Sequence, residues 1–290
     1  MTSRWRIPVA VGSIMLAFAG NSVMTRSIIA TGSASPYLLT TVRFASGLGV
    51  LLVLRGLAPR AFPSRLEPRR DLVGGILLGA YAFAISFGYV FISAAAGTLV
   101  FYAFVVLTMG VFAVLRDGES PTPRSVAGQI LALLGVGLIT FGGIRDVTLI
   151  GVGLMAATGM SWGLYSVHGR SAPDARSYSL HTFLVVGVGS AGFVPVLQLL
   201  DPTAVHIEPI WGGLGLALFM GTISTALSYI LWHGVLRRIT ASQGGVVQLS
   251  VPVLASAMGI LVLGEHLTAT LLAGGASVLA GIYLNRVDPG

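Results

Sequence analysis

The chain has 290 residues, of which 54% are hydrophobic and only 9% charged, and its mean hydropathy is +0.88. A soluble domain carries roughly 25% charged residues, so this composition excludes a water-soluble fold and describes an integral membrane protein. The net charge of +7 and the pI near 10.4 do not mark a nucleic-acid binder, because the basic residues form no patch and too few polar residues exist to make one. All 17 basic residues are Arg, and the absence of Cys excludes disulfides, thiolate metal sites and sulfur redox chemistry.

Ten apolar runs succeed one another, at about residues 7–25, 36–55, 72–92, 96–115, 125–142, 149–168, 179–199, 210–233, 242–263 and 268–285. Each approaches the roughly 20 residues that cross about 30 Å of hydrocarbon as a helix. Pro36 and Pro209 suit a first helical turn, and Thr122 and Thr268 can cap the helices that start after them. Arg4 and Arg6 precede the first run, and AFAG at Ala17–Gly20 has the pattern of a signal-peptidase site. The apolar stretch continues to Val23 and nine further runs come after it, so retention as a helix is expected.

Polar and aromatic residues inside such runs are costly and therefore informative. In the first run Phe18, Asn21, Ser22 and Thr25 share one helical face. In the second, Arg43 could hold a substrate carboxylate as a bidentate fork, bond helix-end carbonyls or snorkel outward. The third holds Tyr81, and the fourth places Thr98 and Tyr102 on one face. The sixth aligns Thr158, Trp162 and Tyr165 at i, i+4 and i+7. Gly187-x-Gly189-x-x-Gly192 in the seventh matches a dinucleotide fingerprint but comes after no strand, so it carries no nucleotide chemistry. Small residues at such spacings, as at Gly75 and Gly79 or Gly159 and Gly163, let helices approach closely. The eighth run adds Ser228, Tyr229 and Trp232, and the ninth Gln248. Tyr102, Trp162 and Gln248 stand nearer mid-run than an interfacial belt allows, which favours a central cavity. His181 and His233 lie near run ends and are expected at the interface, with proton coupling as the lesser reading. No His pair has metal-ligand spacing, and no metal or cofactor is expected.

With the N-terminus in the cytoplasm, the outer loops hold only Arg26 and Arg145, whereas every other arginine except Arg43 falls on the inner side. Such an imbalance predicts an even number of spans with both termini cytoplasmic, and the absence of Cys fits a cell inner membrane of bacterial type. The chain also repeats itself. GESPTPRSVAGQILALLGVGL, from Gly118, and GEHLTATLLAGGASVLAGIYL, from Gly264, match at eight positions under a shift of 146, including Gly118/Gly264, Glu119/Glu265, Gly128/Gly274 and Gly135/Gly281. A five-helix unit inverts its copy, so two inverted halves, residues 1–145 and 146–290, are expected about an axis in the membrane plane. The Gly-Glu pairs sit at helix ends, where a carboxylate accepts orphan N–H groups for about 0.3–1 kcal/mol, and a structural role is expected for them.

On the two Gly-Glu segments, Gly128 and Gly274, Trp162-Gly163, Arg43 and Pro252, the chain resembles the drug/metabolite transporter superfamily in its two-repeat EamA form. The resemblance covers essentially the whole chain. Where the family often has Trp-Gly in the first span, Ala19-Gly20 and Asn21 stand here. The resemblance implies transport, without implying a substrate. Within the group the aromatic-rich central spans look most like those of YddG-type amino-acid exporters.

The ten acidic residues, Glu67, Asp71, Asp117, Glu119, Asp146, Asp174, Asp201, Glu208, Glu265 and Asp288, fall in loops, at run ends or at the C-terminus. A proton-coupled exporter of organic cations normally needs a carboxylate within the membrane. A cavity built from Asn21, Tyr81, Thr98, Tyr102, Trp162, Tyr165 and Gln248 suits neutral or zwitterionic solutes instead. The expectation is therefore an all-α membrane protein, monomeric in the lipid bilayer, that exports small neutral metabolites, amino acids foremost. Alternating access without proton coupling is the expected mechanism. A multidrug or sugar-related substrate remains open, and a channel or receptor is the rival from another class. An intramembrane enzyme would need a nucleophile, base or metal cluster that the runs do not contain.

Overall fold

The computed structural model describes residues 6–63, 65–140, 147–200, 205–208, 212–263 and 268–285. Arg4, Arg145, Asp146, Asp201, Pro209, Gly264, Glu265, Arg286 and Asp288 lie outside them. Among the described residues the regular structure is helical, apart from one isolated bridge between Ala34 and Ile207. Seven helices lead in chain order: α1 (Arg6–Ala30), α2 (Pro36–Leu57), α3 (Pro68–Phe91), α4 (Ala94–Leu115), α5 (Pro123–Thr140), α6 (Leu149–Arg170) and α7 (Ala175–Leu200). The next span runs from α8 (Gly213–Phe219) through a π-helical stretch, Met220–Leu227, into α9 (Ser228–Leu236). Two short helices, α10 (Ala241–Val247) and α11 (Ser250–Leu263), share the ninth expected run, and α12 (Ala269–Leu284) closes the bundle.

The ten expected runs thus correspond to ten helical stretches. Eight of them are long and apolar enough to cross a membrane by themselves, while α12 has 16 residues and the ninth is broken. Their ends obey local chemistry. Ser35 Oγ accepts from Leu38 N ahead of Pro36, Thr122 Oγ1 from Ser125 N and Thr268 Oγ1 from Leu271 N, each cap worth about 1 kcal/mol. The break at Gln248–Leu249 has its cause in Pro252, which has no N–H for the Gln248 carbonyl four residues back and whose ring crowds it. Tighter bonds replace the helical ones, from Leu249 N to Val246 O (3.0 Å) and from Val251 N to Gln248 O (3.0 Å).

Contacts between distant segments mark one end of the bundle as arginine-rich. There Arg170 pairs with Asp117 and donates to Leu236 O (3.0 Å), and Arg237 donates to Pro173 O (3.1 Å). Glu119 Oε1 accepts from Ala241 N (3.1 Å) at the start of α10, the N–H-accepting role expected of the Gly-Glu segment. In the core α3 packs on α6 and α7, α4 on α6 and α10, α2 on α7 and the π-helical stretch, and α1 on α9 and α11. The helices α5 and α12 run antiparallel at backbone contact. A Cβ placed on Gly128 would stand 2.7 Å from Gly281 O, and one on Gly135 would stand 2.6 Å from Gly274 O. Only glycine fits either crossing.

Candidate functional site

Trp162, midway along α6, sits at the centre of an aromatic cluster. Its ring lies 4.8 Å from Tyr81 of α3, 4.9 Å from Tyr229 of α9, 5.5 Å from Phe18 of α1 and 5.7 Å from Tyr165. Its Nε1 donates to Gln248 Oε1 at 2.5 Å, and Gln248 Nε2 donates to Gly244 O at 2.9 Å. Gln248 stands at the Pro252 break, its backbone carbonyl accepting from Val251 N while its side-chain amide faces the centre.

Around this pair is a small cavity, about 20 Å³, lined by Phe18, Asn21, Ser22, Tyr81, Ile85, Phe101, Tyr102, Trp162, Tyr229 and Gln248. That is room for a water molecule and not for an amino acid. A second cavity of about 110 Å³ neighbours it, sharing Ser22 and Tyr102 and adding Thr98, Thr140, Pro252 and Ser256. It lies toward the end of the bundle opposite the arginines, since α4 begins and α5 ends there.

Of the residues expected to line one cavity, Asn21, Tyr81, Tyr102, Trp162 and Gln248 meet around the smaller space and Thr98 joins Tyr102 in the second. Tyr165 lines neither. It is buried behind Trp162, stacked on Tyr178 with its hydroxyl 3.2 Å from Thr182 Oγ1. Ile85 and Phe101 had no signal in the sequence, because an apolar cavity wall and an apolar helix contact look alike there.

Arg43 is 3% exposed and already engaged. Its Nε donates to Thr225 Oγ1 (2.8 Å) and its Nη2 to Tyr229 OH (3.0 Å), while its guanidinium lies 5.3 Å from the Phe44 ring centre. Both acceptors come from the π-helical stretch and the start of α9. The partners are hydroxyls, where the sequence suggested helix-end carbonyls, an outward reach or a substrate.

The two span-end histidines, expected near the interface, are both buried inside the bundle. His181 Nδ1 stands 2.7 Å from Asp71 Oδ2, which also accepts from Glu67 N (2.8 Å). Asp71 is in the first turn of α3, so it does stand at a span end, yet its side chain is 2% exposed. His233 packs edge-on against Tyr165 and Tyr178, and neither ring nitrogen has a hydrogen-bond partner. The bundle closes over these side chains because α3, α7 and α9 cross near their ends, which no single helix reveals. Among the described residues no group of three His, Cys, Asp or Glu side chains is placed to hold a metal ion.

The sequence profile of the EamA-like transporter family matches residues 149–287. An uncharacterized protein of Pseudomonas aeruginosa is 36% identical over 271 residues, 93% of this chain and 91% of its own length. A probable amino-acid metabolite efflux pump of Salmonella typhimurium is 27% identical over 257 residues, 83% of this chain and 84% of its own. A solved crystal structure superposes with a TM-score of 0.82 over 98% of both chains at 21% identity, which establishes a shared fold. With ten helical stretches around an aromatic centre and relatives along almost its whole length, the chain is a multi-pass membrane transporter, not an enzyme, and belongs to the EamA-like transporter family.

Proposed function

We propose that the protein exports small neutral or zwitterionic metabolites, amino acids foremost, by alternating access and down their own gradient. The carrying observation is the character of the centre: six aromatic side chains, Asn21, Ser22 and Gln248, with no charged side chain on the cavity wall. Aromatic faces suit apolar side chains, and neutral hydrogen-bonding groups suit an ammonium and carboxylate without trapping either. The name of the Salmonella relative, and of a probable amino-acid metabolite efflux pump of Escherichia coli that is 25% identical, supports this substrate class.

Alternating access rests on the two halves, residues 1–145 and 146–290, being inverted copies. The α5–α12 crossing supports that arrangement: under the shift of 146, the contact of Gly128 with Gly281 becomes that of Gly274 with Gly135, the second contact present. A two-fold axis between the helices requires this exchange. The arginine distribution supports the arginine-rich end in the cytoplasm with both termini inside, which fits a cell inner membrane. The central space is too small for substrate, so this conformation is contracted between loading and release.

Proteoliposomes tested with labelled neutral amino acids, organic-cation dyes and sugars separate the substrate classes. Flux of neutral amino acids that saturates is expected. Flux of cationic dyes or sugars alone would replace this reading with the multidrug or sugar-related one, and unsaturable currents would point to a channel.

A further inference from the structure

A cavity of about 740 Å³ lies away from the centre. It lies at the arginine-rich end between α4, α5, α10 and α12. One wall is the apolar face of α4, and its deep end is polar: Gln129 Nε2 donates to Ser242 Oγ (3.0 Å), and Asn285 Nδ2 donates to Ser125 Oγ (2.7 Å). Glu119 lines it too, and one accepted N–H leaves its carboxylate several free lone pairs. Asn285 is 4% exposed and its Oδ1 has no donor among the described residues. Turning that amide around would face its oxygen to the Ser125 carbonyl, so the orphan acceptor belongs to the site.

Two relations tie this cavity to the transport centre. One is a stripe on α4. Thr98, Tyr102, Val106 and Gly110 recur every four residues on one face, and they line in turn the outer cavity, the outer and central cavities together, and, for the last two, the large one. The other is the repeat. Val106, Gly110 and Asn285 line the large cavity, and their equivalents under the shift of 146, Pro252, Ser256 and Ile139, line the outer one. The outer cavity shares Ser22 and Tyr102 with the central one, so its counterpart is placed to meet the centre from the opposite side.

We propose that the cavity between α4, α5, α10 and α12 is the cytoplasmic vestibule of the transport path, where a zwitterionic substrate docks by its ammonium on Glu119 and Asn285 before passing along α4 to Trp162. This rests on the export of zwitterions proposed above. A carboxylate and an unpaired amide oxygen select an N–H donor, and the apolar α4 wall takes the side chain. Between vestibule and centre α10 lies close on α4, where a Cβ added to Gly245 would stand 3.3 Å from Met109 Cβ and 3.5 Å from Val106 Cα. The break at Gln248 detaches α10 from α11, so seven residues can swing as a wall without moving a whole span. Glu119 holds the start of that wall through Ala241 N, and substrate bound to the carboxylate competes for the same oxygens.

The natural chain has no Cys, so a single Gly110→Cys variant reports on the vestibule; a Cβ at Gly110 meets only Gln129 Oε1, at 3.9 Å. A charged, water-soluble thiol reagent applied from the cytoplasmic side of inside-out vesicles is expected to label it and to stop amino-acid transport by that variant. Saturating substrate, at about ten times its dissociation constant, should slow labelling about tenfold. Glu119→Gln together with Asn285→Leu should abolish that protection. Labelling by a lipid-soluble reagent alone would make the cavity a lipid crevice and overturn the proposal, as would labelling that leaves transport intact or that substrate does not slow. If the natural chain moves no amino acid, both the vestibule and the proposed function fall. If it does and the labelled variant transports equally well, only the vestibule falls.

Discussion

Trp162 Nε1 donates to Gln248 Oε1 at 2.5 Å, tying the middle of α6 to the break between α10 and α11. The indole N–H is buried, so its acceptor has no substitute from water. Gln248→Leu should strand that donor and lower stability by about 1–3 kcal/mol. Trp162→Phe removes the donor and leaves Gln248 its bond to Gly244 O, so the double variant Trp162→Phe with Gln248→Leu should be less impaired than the sum of the single ones. Thermal unfolding in detergent reads the cycle, and strict additivity would mean the bond contributes nothing.

Transport should depend on the rings around that bond. Trp162→Ala removes contact area worth about 1–3 kcal/mol to an aromatic or aliphatic substrate, and flux should fall while expression and folding persist. Tyr102→Ala should act in the same direction, since Tyr102 faces both the central and the outer cavity. Unchanged kinetics in both variants would move the substrate site elsewhere.

Arg43 separates a structural from a substrate-binding role. Arg43→Lys cannot serve Thr225 and Tyr229 together with a planar fork, so the melting temperature should fall. Discrimination between an amino acid and its carboxamide should stay as in the natural chain. A lost preference for the free carboxylate, with the melting temperature unchanged, would make Arg43 the substrate's anchor.

The buried histidines give opposite expectations. His233→Phe keeps a ring between Tyr165 and Tyr178 and removes two nitrogens without partners, so stability should hold or rise. His181→Phe strips Asp71 of its 2.7 Å partner inside the bundle and should destabilise by several kcal/mol. Neither should confer or abolish coupling, because uphill accumulation driven by a proton gradient is not expected in the natural chain. Such accumulation, lost on replacing His181 or His233, would overturn facilitated export.

Inversion of the halves has a labelling test in this cysteine-free background. Glu119→Cys should react from the cytoplasmic side and Glu265→Cys from the outer side. Reaction of both from one side would leave the repeat without its inverted arrangement.

The features that the sequence determined by itself are those that depend on local chemistry. Apolar length set the helical runs, Thr122 and Thr268 their caps, and the four-residue spacing of Thr98 and Tyr102 a shared face, because each depends on one helix in its solvent. Tyr102, Trp162 and Gln248 were legible as central because a polar or amphipathic group in mid-membrane is costly unless something receives it. Which faces meet was decided only by tertiary structure. Asp71 finds His181 110 residues away, Arg43 finds hydroxyls presented by a π-helical stretch, and Tyr165 turns behind the cavity to stack on Tyr178. A span end looks exposed when a helix is read alone, and becomes interior once neighbouring helices cross over it. The same crossings set the cavity volumes, since the space between helices belongs to no one of them.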